Sequence, residues 1–154
     1  MAERDAWDPA QYDRFRRERQ QPFFDLLDLV EPVVDGRAVE SVVDLGCGTG
    51  DTTRLLHERL RARSTTGIDS SPTMLQAARD LEQKQGSVAG LRFTLAHVEN
   101  THDWATPSAR FDVLFSNACL QWIPGHVPLF AQLAERLSST GQLAVQMPVN
   151  NDHA

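Results

Sequence analysis

Hydrophobic and polar positions change period repeatedly along this chain, and the changes divide it into alternating elements. Five short apolar runs read as strands: 41–45, 64–68, 91–96, 111–116 and 142–147, the last of them after a Ser139-Thr140-Gly141 turn. Between them, apolar residues recur at helical spacing over 51–61, 72–84 and 128–137. A further helix, packed on the sheet, is expected at 21–30, where Gln21-Pro22-Phe23-Phe24-Asp25-Leu26-Leu27-Asp28-Leu29-Val30 carries apolar residues at helical spacing. The 72–84 segment opens with Ser70-Ser71-Pro72, a capping hydroxyl ahead of a proline in the first turn. Strand and helix in alternation predict an α/β fold with a parallel sheet and right-handed crossovers. No internal repeat or low-complexity tract interrupts the pattern, so residues 1–154 are expected to form one domain.

Composition narrows the field without choosing a function. A chain of 154 residues with 41% hydrophobic and 23% charged residues can bury a core like an ordinary globular domain. A net charge of −6 argues against a general nucleic-acid binder, which needs a basic face. There is no apolar run long enough to span a bilayer, and Met1-Ala2-Glu3-Arg4-Asp5 does not look like a secretory signal, so a cytoplasmic location is expected. Cys47 and Cys119 are too few for a disulfide framework and are expected to be free thiols. The five histidines lack metal-ligand spacing, and no metal is expected.

The most informative stretch is Asp44-Leu45-Gly46-Cys47-Gly48-Thr49-Gly50, which ends the first expected strand and leads into a helix. A strand, a sharp glycine turn and a helix N-terminus let backbone approach a ligand closely. A dinucleotide fingerprint needs a third glycine where this chain has Asp51, which disfavours a nicotinamide enzyme. Asp69 ends the second strand, where a carboxylate can accept both ribose hydroxyls of a nucleoside; a helix cap or a solvated turn aspartate is the plainer alternative. The run from Phe111 to Trp122 carries Asn117, Cys119, Gln121 and Trp122 off the end of the fourth strand, beside the crevice of a doubly wound sheet. Asn117, Gln121 and Trp122 are candidates for positioning a ligand, against the alternative of an ordinary packed turn. Cys119 reads as a bystander.

The D-x-G-x-G-x-G pattern resembles the first motif of the class I S-adenosylmethionine-dependent methyltransferases. The leader Trp7-Asp8-Pro9-Ala10-Gln11-Tyr12, the run Asn117-Ala118-Cys119-Leu120-Gln121-Trp122 and the end Val145-Gln146-Met147-Pro148 narrow the likeness to the trans-aconitate 2-methyltransferase family. The resemblance implies a Rossmann-like three-layer sandwich with a mostly parallel sheet. The pattern predicts five strands and not the family's final hairpin, as expected of a C-terminally truncated fragment or of a shortened relative. It implies S-adenosyl-L-methionine as cofactor and a small carboxylic acid as substrate, with no nucleic-acid or membrane partner. It further implies cofactor contacts by Asp44, Gly46, Cys47, Gly48, Gly50, Asp69, Ser70, His97, Val98 and Asn117. The aromatic leader with Trp7, Tyr12 and Phe15 needs something to pack on, so residues 1–20 are expected to fold over the site as a lid carrying Tyr12, against the alternative of a surface helix with solvated arginines. Histidine at 97 departs from the family, which usually has an aspartate there to meet the adenine amine; the Val98 amide beside it is the candidate for adenine N1. Arg14 and Arg17 of the leader are the expected cations for the acid. A cofactor-binding or interaction module without catalysis, or a methyltransferase for another small acceptor, is the alternative.

Overall fold

The computed structural model describes residues 16–149, with side chains from Gln20 onward. Helix α1 (Arg16–Asp28) leads into a small antiparallel hairpin, β1 (Val33–Val34) and β2 (Arg37–Ala38). The main sheet then begins with β3 (Ser41–Leu45), followed by α2 (Asp51–Leu60), β4 (Ser64–Asp69), α3 (Pro72–Gln85) and β5 (Leu91–Leu95). The second half runs α4 (Thr101–Trp104), β6 (Phe111–Asn117), a 3-10 turn (Leu120–Trp122), α5 (His126–Ala134) and β7 (Leu137–Gln146).

The sheet order is β5-β4-β3-β6-β7 and every pairing is parallel. The chain starts in the middle, winds outward through β4 to β5, then crosses back to β6 on the other side of β3. The order reverses between β3 and β6, and a parallel sheet leaves a crevice at the carboxyl ends of its strands there. This is the α/β three-layer arrangement that strand and helix alternation implies, with five strands in the main sheet among the described residues.

The pleat sorts the core into two layers. Val42, Val113 and Phe115 face one side, under Phe23, Leu26 and Leu27 of α1 and Leu56 and Leu60 of α2. Phe23 meets Phe115 edge-on at 5.5 Å. Val43, Leu45, Ile68 and Leu114 face the other side, with Leu129 and Leu133 of α5. Asp44 falls on the Val42 face by the same alternation, which aims it at α2 (see below).

The observed elements depart from the sequence pattern at their ends. Helix α1 is already formed at Arg16 and carries Pro22 inside it, whereas the periodicity marks only 21–30. The burial of Phe23, Leu26 and Leu27 on the sheet outweighs the hydrogen bond that a proline omits. Helix α5 starts at His126 and takes Pro128 into its first turn, where the backbone N–H has no intrahelical acceptor in any case. Strand β7 begins at Leu137 rather than after the 139–141 turn. Phe111 pairs with Leu137 and Val113 with Gln142, so residues 138–141 form an irregularity within one strand. The β1–β2 hairpin was readable and missed: Asp35-Gly36, between Val33-Val34 and Arg37-Ala38, is a strong two-residue turn signal, and both residues have positive φ, 50° and 74°.

Candidate functional site

The glycine loop is fixed from three directions. Gly46 and Cys47 both donate to the Ile68 carbonyl, each at 2.9 Å. The Gly48 amide donates to Asp69 Oδ2 at 2.9 Å, and Ser71 N donates to Asp69 Oδ1 at the same distance. Asp69 thus joins the loop after β3 to the turn after β4 with one carboxylate. Gly46 has φ +78°, and a Cβ there would lie 2.3 Å from Cys119 Sγ, so the side chain of the β6 turn occupies the space that Gly46 leaves. Gly50, also at φ +78°, would place a Cβ 2.6 Å from the Phe93 ring. Both positions exclude a side chain by conformation and by space.

Beyond β6 the chain turns sharply. Ala118 adopts φ +54°, an uncommon conformation for a residue with a Cβ, and its amide donates to Gln146 O at 2.9 Å. That turn seats Cys119 over Gly46 and brings Asn117 and Gln121 toward the glycine loop. Leu120 is fully buried and roots the turn, while Trp122 remains 61% exposed.

These elements enclose a cavity of about 530 Å³ at the reversal point, in the size range of small-molecule sites. Of the residues singled out in the sequence, Gly46, Gly48, Asp69, Ser70, His97, Val98, Asn117, Gln121 and Trp122 line it. Asp44, Cys47 and Gly50 do not line it; all three are buried. Tyr12 and the leader through residue 15 lie outside the described residues, and 16–20 form the beginning of α1. The sequence reading overlooked Met74, Glu99, Ala118 and Gln146 as wall residues and set Cys119 aside as a bystander, yet all five line the cavity. Their common signal is position: each lies just past the carboxyl end of a parallel strand or in the first turn of the following helix.

Asp44 is 4% exposed, and Thr53 Oγ1 of α2 donates to its Oδ2 at 2.7 Å. Burial drives its pKa from 3.8 up to about 7, helped by the negative charges of Asp69 and Asp51 and opposed by the Thr53 hydrogen bond. Burial likewise pushes the Cys119 thiol up to about 12, with Asp69 and Asp44 adding to the shift, and raises Cys47 well above the usual thiol value. Neither thiol is a nucleophile at neutral pH.

Two buried side-chain oxygens, Asn117 Oδ1 and Gln121 Oε1, have no hydrogen-bond partner among the described residues. Orphaned buried acceptors are costly, and here both belong to residues on the cavity wall. The Val98 carbonyl is held by Trp104 Nε1 at 3.3 Å, while the Val98 amide is not engaged among the described residues. His97 lies beside Glu99, Nδ1 to Oε1 3.8 Å, with both side chains about half exposed. Among the described residues no group of three or more His, Cys, Asp or Glu is arranged to hold a metal, and no helix is long and apolar enough to cross a membrane.

A glycine loop, a carboxylate at the end of the next strand and unsatisfied acceptors around one crevice define a nucleoside-binding α/β fold. The chain belongs to the methyltransferase domain family, whose model matches residues 42–141. It is 43% identical over 144 residues to the trans-aconitate 2-methyltransferase of Escherichia coli O7:K1 (strain IAI39 / ExPEC), covering 94% of this chain and 52% of that one. The trans-aconitate 2-methyltransferase of Acidovorax ebreus (strain TPSY) is 43% identical over 146 residues, covering 95% and 51%. The chain therefore spans about half the length of the curated relatives it matches. Among solved structures, an S-adenosylmethionine dependent methyltransferase from Mesorhizobium loti is similar at a TM-score of 0.62 and 28% identity, covering 77% of this chain and 50% of that one. The plantazolicin methyltransferase BpumL, solved with SAH, shares the fold at a TM-score of 0.63 and 21% identity, covering 88% and 49%.

Proposed function

We propose that this chain carries the cofactor-binding part of an S-adenosylmethionine-dependent O-methyltransferase that esterifies a carboxylate of a small polycarboxylic acid. Trans-aconitate is the acceptor favoured by likeness, since relatives 43% identical carry that name. The observation that carries the reading is the pair of orphaned acceptors, Asn117 Oδ1 and Gln121 Oε1, at a crevice that also presents Asp69. A ligand rich in N–H and O–H donors and bearing positive charge would satisfy the two orphaned acceptors and meet the Asp69 carboxylate, and S-adenosylmethionine is such a ligand.

The residues divide the work by chemistry. Asp69, fixed by its bonds to Gly48 and Ser71, presents its carboxylate to the ribose diol. Asn117 and Gln121 accept from the ligand's amino groups. Val98 N and His97 meet the base. Asp44, buried and bonded to Thr53, supports the loop from α2 rather than touching the ligand. Met74, Cys119 and Ile123 supply apolar wall that excludes water. When bound, the cofactor supplies the activated methyl group. The acceptor carboxylate is already ionised at neutral pH, so none of these residues has to remove a proton from it. Arg14, outside the described residues, and Arg17, in the first turn of α1 with its side chain undescribed, are the cations proposed for its charges.

The test is calorimetric titration of the chain with S-adenosylhomocysteine, followed by turnover on trans-aconitate against a panel of other acids. Micromolar binding is expected, and Asp69→Ala is expected to weaken it by about 1–3 kcal/mol, the cost of charge-assisted hydrogen bonds lost. A folded chain that ignores the ligand removes the cofactor reading. Turnover on another acid in preference to trans-aconitate removes only the named acceptor.

A further inference from the structure

Asp69 shares the cavity lining with an apolar group, Met74 of α3 with Ala96 and Val98 after β5, all three 5% exposed or less, and with the half-exposed His97. An apolar wall in the same cavity as a ribose-binding carboxylate suits the flat face of a base, and the polar groups beside it read the base edge. Their chemistry then decides which edge is tolerated. A carboxylate can only accept, so it would select a base with an exocyclic amine. A neutral imidazole has one nitrogen that accepts and one that donates, and the proton can sit on either. Glu99 Oε1 lies 3.8 Å from Nδ1, and Nε2 has no partner among the described residues.

We propose that His97 makes the base site ambivalent, so that this chain binds 6-oxopurine nucleosides (hypoxanthine) as well as 6-aminopurine nucleosides (adenine). This rests on the cofactor reading above and goes beyond it by assigning the residue that sets base selectivity. With adenine, Nε2 accepts from the 6-amino group; with hypoxanthine, the other tautomer donates to the 6-oxygen. The Val98 amide suits adenine N1 and opposes the hypoxanthine N1–H. That preference is the same whatever stands at 97, so comparing variants isolates the side chain.

The experiment is calorimetric titration of the full chain with S-adenosylhomocysteine and with its hypoxanthine analogue, S-inosylhomocysteine. It is repeated on His97→Asp, which can only accept, and on His97→Asn, which can do either. Position 97 is exposed, so neither substitution disturbs the core. His97→Asp is expected to keep or tighten adenine binding and to weaken the hypoxanthine analogue. The affinity ratio then rises about tenfold or more over the parent chain, the scale of one hydrogen bond replaced by a repulsive pair. His97→Asn is expected to stay within about threefold of the parent ratio. A ratio unchanged in His97→Asp, with S-adenosylhomocysteine still bound, overturns the assignment of His97 and leaves the cofactor reading intact. A folded chain that binds neither ligand overturns both.

Discussion

Asp44 shows how one residue can belong to a loop motif by sequence and still face away from the cavity. Its position in the motif brings it to the glycine loop, but strand alternation turns it to the α2 face, where Thr53 holds it. Its folded pKa of about 7 lies above the ordinary 3.8, so as pH rises the unfolded chain gives up this proton first. The stability contributed by the neutral carboxyl is complete below about pH 4 and is lost as pH climbs through about 7, a difference on the order of 4 kcal/mol. Asp44→Asn is expected to keep the Thr53 bond and to flatten the fall in denaturation midpoint between pH 5 and 8. An identical slope in the variant would show that other groups carry it. Cys119 offers a second check at this scale: with its thiol at about 12, the thiolate is scarce at pH 8, and iodoacetamide should modify it far more slowly than a free cysteine. Glycine spacing and Asp69 were legible because their chemistry is local. Met74, Glu99 and Gln146 were not, because only the folded sheet brings their strand ends together.

Among the elements, the β3–α2 loop and the β6 turn form one unit. Ala118 in its uncommon conformation delivers Cys119 to the space above Gly46. Gly46→Ala is expected to destabilise by about 1–2 kcal/mol from backbone conformation, with more from collision against Cys119. Removing the obstructing side chain in Gly46→Ala/Cys119→Gly should recover the collision part and leave the conformational part, a non-additivity that a denaturant double-mutant cycle measures. Purely additive losses would mean that the two sites are independent. At the opposite ends of the strands, Asp112 of β6 accepts from Glu40 N, Ser41 N and Ser41 Oγ at 2.9, 3.0 and 3.2 Å, and from Ser138 Oγ at 2.9 Å. Burial alone would raise its pKa, but these hydrogen bonds prevail and lower it. Its contribution is therefore present above the ordinary carboxyl range and lost on acidification, opposite in sign to that of Asp44. Strands and helices were legible as periodicities; their ends were not. Pro22 within α1 and the irregularity at 138–141 depend on tertiary packing, which no local pattern encodes.

At the scale of the molecule, the alternation of elements implied the parallel sheet, and the reversal between β3 and β6 located the crevice. That reversal also sets an order of assembly. β3 can pair with β4 soon after both leave the ribosome, but its other flank waits for β6: Val42 pairs with Val113, a separation of 113 − 42 = 71 residues. At ordinary synthesis rates that interval is roughly 4–14 s. Throughout it the nascent chain has its glycine loop and Asp69 without the wall formed by Asn117, Cys119 and Gln121. Ligand can gain its full hold only once translation has passed the β6 turn, so cofactor cannot assist the pairing of β3, β4 and β5 that precedes it.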